Sequence, residues 1–147
     1  MMKVSMVPTK HVTDIWDAVT PHLKKAADYT YGRYEVDDIL DCITDYEHTL
    51  WIAFDEESIK GAVVTMIRQY PRKKYLDMVF TGGVELEKWK KPMLELLQKW
   101  AFDTKCDGIE SVGRPGWAKI FKTDGHKPLW NTYELPVAKT GLGDING

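Results

Sequence analysis

The stretch that decides the fold runs from Tyr75 to Thr104 and reads YLDMVFTGGVELEKWKKPMLELLQKWAFDT. Its opening, Tyr75 to Thr81, is rich in apolar residues and reads as a strand, which Gly82-Gly83 should stop. From Leu86 to Thr104 the period changes. Leu86, Trp89, Met93, Leu96, Leu97, Trp100 and Ala101 recur at three- and four-residue steps, the spacing of an amphipathic helix. Pro92 is placed in its first turn or two, where a missing N–H is tolerated, or else kinks it. A strand, a glycine turn and a long helix thus form the centre of the chain.

Upstream, Leu50–Phe54 is a continuous apolar strand and Asp55–Ser58 a turn. Ile59–Gln69, rich in β-branched residues, makes a hairpin with it, and Tyr70–Lys74 is a basic turn into the central strand. Earlier still, Lys3–Val7 reads as a short strand ended by Pro8, with Thr9 or Thr13 as the cap of the first helix. Asp14–Ala27 carries a helical pattern that Pro21 interrupts, so a kink or two short helices are expected. After a loop over Tyr29–Arg33, Val36, Ile39, Leu40 and Ile43 line one face of a second helix, with Asp37, Asp38, Asp41 and Asp45 opposite. Downstream, Asp107–Val112 reads as a strand, Trp117–Lys122 as a short helix ended by Gly125, and Leu129–Val137 as a last strand. The order β-α-α-β-β-β-α-β-α-β describes an α+β (mixed α/β) sandwich: one domain over residues 1–137 and a frayed tail over 138–147.

Composition agrees and excludes alternatives. The chain has 147 residues, 44% apolar and 29% charged, the profile of one folded domain. Six Trp and seven Tyr are too many for disorder. Twenty basic and 22 acidic residues give a net charge of −2, which argues against non-specific nucleic-acid binding. That average hides a division. Residues 1–50 carry five basic and nine acidic side chains, whereas Lys60 to Lys91 carries eight basic and three acidic. The basic stretch could hold phosphates or be a solvated face. Cys42 and Cys106 have no Cys or His at metal-ligand spacing, so reduced thiols and no metal are expected. No leader and no membrane-length apolar run is seen, and a cytoplasmic protein is expected.

The order of elements, with a glycine turn before the long helix, resembles the GNAT N-acetyltransferase superfamily over Lys3 to about Val137. The segments Leu50-Trp51-Ile52-Ala53, Gly61-Ala62-Val63-Val64-Thr65, Phe80-Thr81-Gly82-Gly83 and Gly113-Arg114-Pro115-Gly116-Trp117 are similar to small GNAT-like proteins of tailed bacteriophages. The resemblance implies a mostly antiparallel central sheet flanked by helices. It also implies acetyl-CoA lying between the Tyr75–Thr81 and Asp107–Val112 strands, with Val79, Phe80, Thr81, Gly82, Gly83 and Val84 at the cofactor and the Gly82–Val84 amides on its pyrophosphate.

The family turn reads [Gln/Arg]-x-x-Gly-x-[Gly/Ala]; here Gly82 keeps the middle glycine, while Val79 and Val84 depart from the pattern. Glu85 and Glu87 at the helix start would repel a pyrophosphate. Gly82-Gly83 also reads as a plain strand-to-helix turn. Phe121 stands where many members carry a tyrosine acid, which leaves His126 or Tyr133 for that role. Asp77 and then Glu110 are the candidate bases. Arg114, at a strand's C-terminal end, would bind a carboxylate or phosphate, or else pair with a nearby acid.

The implied activity is acetyl transfer to an unknown small-molecule or protein amine. The rival reading is a catalytically degenerate binding module that meets a host or virion protein, in the host cytoplasm or the virion. Neither a membrane nor a nucleic acid is an expected partner, although the Arg68–Lys74 turn is the place where a nucleic-acid backbone would touch.

Overall fold

The β-branched and aromatic runs of the middle of the chain pair into one sheet. In the computed structural model, which describes residues 1–112 and 125–137, the strands are Lys3–Val7 (β1), Thr49–Phe54 (β2), Ile59–Gln69 (β3), Lys74–Gly83 (β4) and Gly108–Ser111 (β5). They lie in the order β1-β2-β3-β4-β5. The first four are antiparallel neighbours, and β5 is parallel to β4. The Asp55 carboxylate accepts the N–H groups of Glu57 and Ser58 at 2.9 and 3.0 Å, which closes the turn between β2 and β3. The helices are Val12–Asp28 (α1), Val36–Thr44 (α2) and Leu86–Asp103 (α3).

Strand periodicity divides the core in two. On one face Leu50, Ala62, Val64 and Phe80 pack with Val12, Trp16, Val19 and Leu23 of α1 and Ile39 and Ile43 of α2. On the other, Trp51, Val63, Leu76 and Met78 pack with Trp89, Met93, Leu97 and Ala101 of α3. A sheet covered on both faces needs strands that are apolar on both sides, and Gly61-Ala62-Val63-Val64-Thr65 is buried throughout.

Several details differ from the sequence-based expectation. α1 is one continuous helix through Pro21. Pro21 and Asp17, whose carbonyl loses its partner, are both exposed, so solvent can reach that carbonyl and no break is forced. Neither Thr9 nor Thr13 caps it: Thr9–His11 forms a 3₁₀ turn and His11 holds the N-cap position without a side-chain bond. β4 does not stop at Thr81 but runs through Gly82-Gly83.

Residues 1–112 form one compact unit and residues 113–147 a second. In the second, the expected strand over Leu129–Val137 is absent; these residues have no regular secondary structure. Leu129, Trp130, Leu135 and Val137 are 61–91% exposed, so they make no apolar face for a sheet. The expected helix over Trp117–Lys122 and the tail over 138–147 lie outside the described residues, as do Arg114 and Phe121.

Candidate active site

The parallel ladder between β4 and β5 is short. It spans Tyr75–Met78 against Gly108–Ser111, whereas β4 continues to Gly83. Among the described residues, Val79–Gly83 pairs only with β3. At the point where the ladder ends, the β3–β4 register slips: Val64 faces Phe80 and Thr65 faces Met78, so Val79 is an extra, bulged residue. A bulge bends a strand and re-aims the residues around it, and bulges gather beside functional sites. Phe80 is buried with the Tyr34 ring edge-on at 5.1 Å, and Thr81 is half-buried.

The two glycines serve close approach. A Cβ on Gly82 would run into the backbone carbonyl of His22 on α1. A Cβ on Gly83 would stand 2.5 Å from the Lys60 carbonyl oxygen and 2.6 Å from Gly61 Cα. The expectation that the Gly82–Val84 amides form an anion cradle needs one correction. The Val84 N–H already donates to the Lys60 carbonyl at 2.8 Å. Next, Glu85 takes the left-handed conformation (φ 54°) at the N-cap of α3. Its carboxylate lies 2.7 Å from Lys88 Nζ and 3.4 Å from Lys60 Nζ. Both hydrogen bonds and charges hold it below the usual carboxylate range. The repulsion expected from Glu85 is thus largely offset by two lysines. The same pairing removes those lysines from a free basic rim. Arg68 and Lys74 are also engaged, the latter donating to the Thr104 carbonyl at 2.6 Å.

One residue before the ladder ends, Asp77 on β4 stands in register with Glu110 on β5. Leu76 and Met78 point to α3, so strand alternation turns Asp77 to the opposite face. There Arg68 of β3 reaches both acids: its Nε and Nη2 donate to Asp77 Oδ2 at 3.1 and 2.8 Å, and Nε lies 3.6 Å from Glu110 Oε1. The Tyr70 hydroxyl donates to Glu110 Oε1 at 2.6 Å. Two carboxylates share one guanidinium, so the cluster carries a net negative charge beside the open end of β4. Burial raises the pKa of Asp77 against the pull of Arg68, and the Glu110 charge adds to the rise. Tyr70 is held protonated by the same Glu110 bond.

Sequence reasoning names Asp77 and Glu110 separately and misses Arg68 and Tyr70. The hairpin register, which sets Arg68 opposite Tyr75 and Met66 opposite Asp77, is the signal that could have found them. Of the other candidates, half-buried His126 and Tyr133, 87% exposed, belong to the second unit.

This cluster yields a pH prediction. The Asp77 proton leaves less readily in the folded chain than in the unfolded one. Asp77 therefore favours folding below its ordinary value of 3.8, and that contribution is lost as pH rises through the raised value. Urea unfolding of wild type and Asp77→Asn across this range should show the wild type losing stability relative to the variant as pH rises; a flat difference would refute the assignment. Arg68→Met should cost about 2 kcal/mol at neutral pH and less in acid, where Asp77 is protonated. The cost stays below that of a fully buried pair because the Arg68 side chain is 41% exposed.

No family model matches the chain, and no curated protein does. Solved structures do. A ribosomal-protein-alanine N-acetyltransferase from Brucella melitensis biovar Abortus 2308 superposes with a TM-score of 0.69 at 11% identity, covering 94% of this chain and 100% of its own. A predicted acetyltransferase from Clostridium acetobutylicum, solved with acetyl-CoA, gives 0.67 at 14% identity, covering 92% and 96%. An aminoglycoside acetyltransferase from an uncultured soil metagenomic sample, in complex with sisomicin, gives 0.64 at 7%, covering 92% and 97%. The mixed sheet, the helices on its two faces and these superpositions lead to one conclusion: this chain has the fold of the GNAT acetyltransferases.

Proposed function

We infer that the chain is an acetyl-CoA-dependent N-acetyltransferase acting on an amine. The observation that carries the reading is the end of the β4–β5 ladder at Met78 among the described residues, with a bulge at Val79 and an acid pair one residue before that end. A strand that runs on without its parallel neighbour offers main-chain groups to an extended ligand. The residues that would hold the cofactor are Val79–Gly83, along the edge that no described residue pairs, and the Leu86 and Glu87 N–H groups that open α3; the next, Lys88, already donates to the Glu85 carbonyl at 2.9 Å. Val84 is excluded by its bond to Lys60. When bound, acetyl-CoA supplies an activated thioester.

The chain's own residues supply charge and a proton acceptor. The Asp77–Glu110 pair with its single Arg68 attracts a protonated amine. Asp77, its pKa raised by burial, moves in the direction that a base working near neutrality requires. Arg68 and Tyr70 hold the two carboxylates in place.

Calorimetric titration tests the reading. Acetyl-CoA should bind at micromolar to sub-millimolar concentration, and Asp77→Asn should keep that binding while losing roughly 10²–10⁴-fold in turnover once an acceptor amine is found. No binding at millimolar acetyl-CoA would overturn it. That outcome favours the second reading, a binding module that keeps the fold without the chemistry. The occupied Val84 N–H and the glutamate at the N-cap of α3 speak for that module.

A further inference from the structure

Three different donors meet at the end of α2. Cys42 Sγ, a Glu47 carboxylate oxygen and an imidazole nitrogen of His48 lie within 4.8 Å of one another. The backbone explains why. After Tyr46 turns the chain in the left-handed region (φ 63°), the N–H groups of Glu47 and His48 both donate to the Cys42 carbonyl, at 3.2 and 3.1 Å. The chain wraps around that carbonyl and folds two side chains back toward the thiol.

His48 is only 8% exposed, and its Nδ1 is buried without a hydrogen-bond partner among the described residues. Such a nitrogen is costly to leave unpaired, and a bound ion is one of the few things that would satisfy it. Acidic groups outnumber basic ones around the donors: Glu47, Asp45, Asp38 and Asp41 act electrostatically on the Cys42 thiol, and Glu47 and Asp77 act on His48 against Arg68 alone.

We propose that Cys42, Glu47 and His48 form a site for a zinc-class divalent cation, with water as the fourth ligand. A sulfur, a nitrogen and an oxygen donor suit zinc, whereas calcium and magnesium take oxygen ligands. Bonds of about 2.0–2.3 Å at tetrahedral angles separate ligand atoms by about 3.3–3.8 Å, so donors within 4.8 Å of one another need to close by no more than about 1.5 Å. Exposed Glu47 can supply that movement. It also lines an open cavity of about 200 Å³, so its side chain has room to move. Binding replaces the Cys42 S–H bond with a sulfur–metal bond, and the proton leaves to solvent. None of the three donors is a group assigned to acetyl transfer, although His48 lies close enough to Asp77 for their charges to interact.

The expectation of no metal rests on spacing between Cys and His pairs. Here a carboxylate is the third donor, and the helix end, not a sequence motif, brings the set together.

The test uses the full chain, stripped by chelator and then titrated with Co²⁺ and Zn²⁺. One Co²⁺ per chain should bind and give a thiolate-to-cobalt charge-transfer band, and one equivalent of Zn²⁺ should abolish that band and raise the thermal midpoint. Cys42→Ser should lose the band, while Cys106→Ser should keep it. Glu47→Gln, an exposed change with little risk to folding, should weaken Zn²⁺ binding by at least roughly tenfold. Absence of the band, a band that depends on Cys106, or unchanged Zn²⁺ affinity in Glu47→Gln would each overturn the proposal.

Discussion

Gly82→Ala should destabilise the chain by at least about 3 kcal/mol, although it adds a single methyl group. The added Cβ would run into the backbone carbonyl oxygen of His22. A flexible side chain could swing away; a helix carbonyl cannot move without its helix. To make room, α1 must lift from β4, and α1 buries Val12, Trp16, Val19, Leu23 and Ala27 against the sheet. Overpacking of this kind costs about 1–3 kcal/mol even where side chains can adjust, and more where backbone opposes backbone. Gly32→Ala is the control. Gly32 has a left-handed φ of 80°, but nothing lies within 4 Å of its would-be Cβ. It should lose only about 1 kcal/mol, the cost of the backbone conformation. Denaturant midpoints compare the two. Gly82 itself has no left-handed φ, so equal losses at both positions would mean that α1 yields to the added methyl group at little cost and that the close approach is not what requires glycine. The same variant should weaken acetyl-CoA binding, since Gly82 belongs to the stretch of β4 that would hold it.

That contrast also shows where sequence reading reaches its limit. β-Branched content is sufficient for β3, whose bounds Ile59–Gln69 match the expectation, and helical spacing for the start of α3 at Leu86. Both signals are local. Gly82-Gly83 reads as a turn because glycine most often marks one. Its actual role depends on which helix crosses β4, a tertiary fact that leaves no local trace. The bulge at Val79 is similarly silent, since an extra residue in one strand shows only against its partner. The acid pair is an intermediate case. Asp77 and Glu110 are both visible as carboxylates on strands, but their pairing through Arg68 depends on two registers at once, one antiparallel and one parallel. Leu129–Val137 fails for the opposite reason: apolar residues favour a strand but do not supply a neighbour to pair with.

Trp89→Ala should be the most damaging single truncation in the core beneath α3, at about 3–5 kcal/mol. Trp89 is 2% exposed, and its Nε1 donates to the Val84 carbonyl at 2.8 Å, tying the first turns of α3 to the end of β4. Its ring lies over both strand glycines: a Cβ on Gly61 would stand 2.6 Å from Cε2, and one on Gly83 would stand 3.1 Å from Cζ2. Ring and glycines are thus matched in shape, which makes the prediction sharper than a loss of stability. Gly61→Ala alone should be destabilising, because its methyl group strikes the ring. In the Trp89→Ala background that obstruction is gone, and the same methyl group fills part of the void. The double variant should therefore be more stable than the sum of the single losses allows, by a coupling of about 1–3 kcal/mol. Strict additivity would show that the two positions do not share this space. Trp89→Phe separates packing from the polar bond. It keeps most of the ring and loses the donor, so the fold should survive with a loss of about 1–2 kcal/mol, including the unpaired Val84 carbonyl. If the end of β4 and the start of α3 together hold acetyl-CoA, this folded variant should still bind it more weakly, because the bond it lacks joins those two elements.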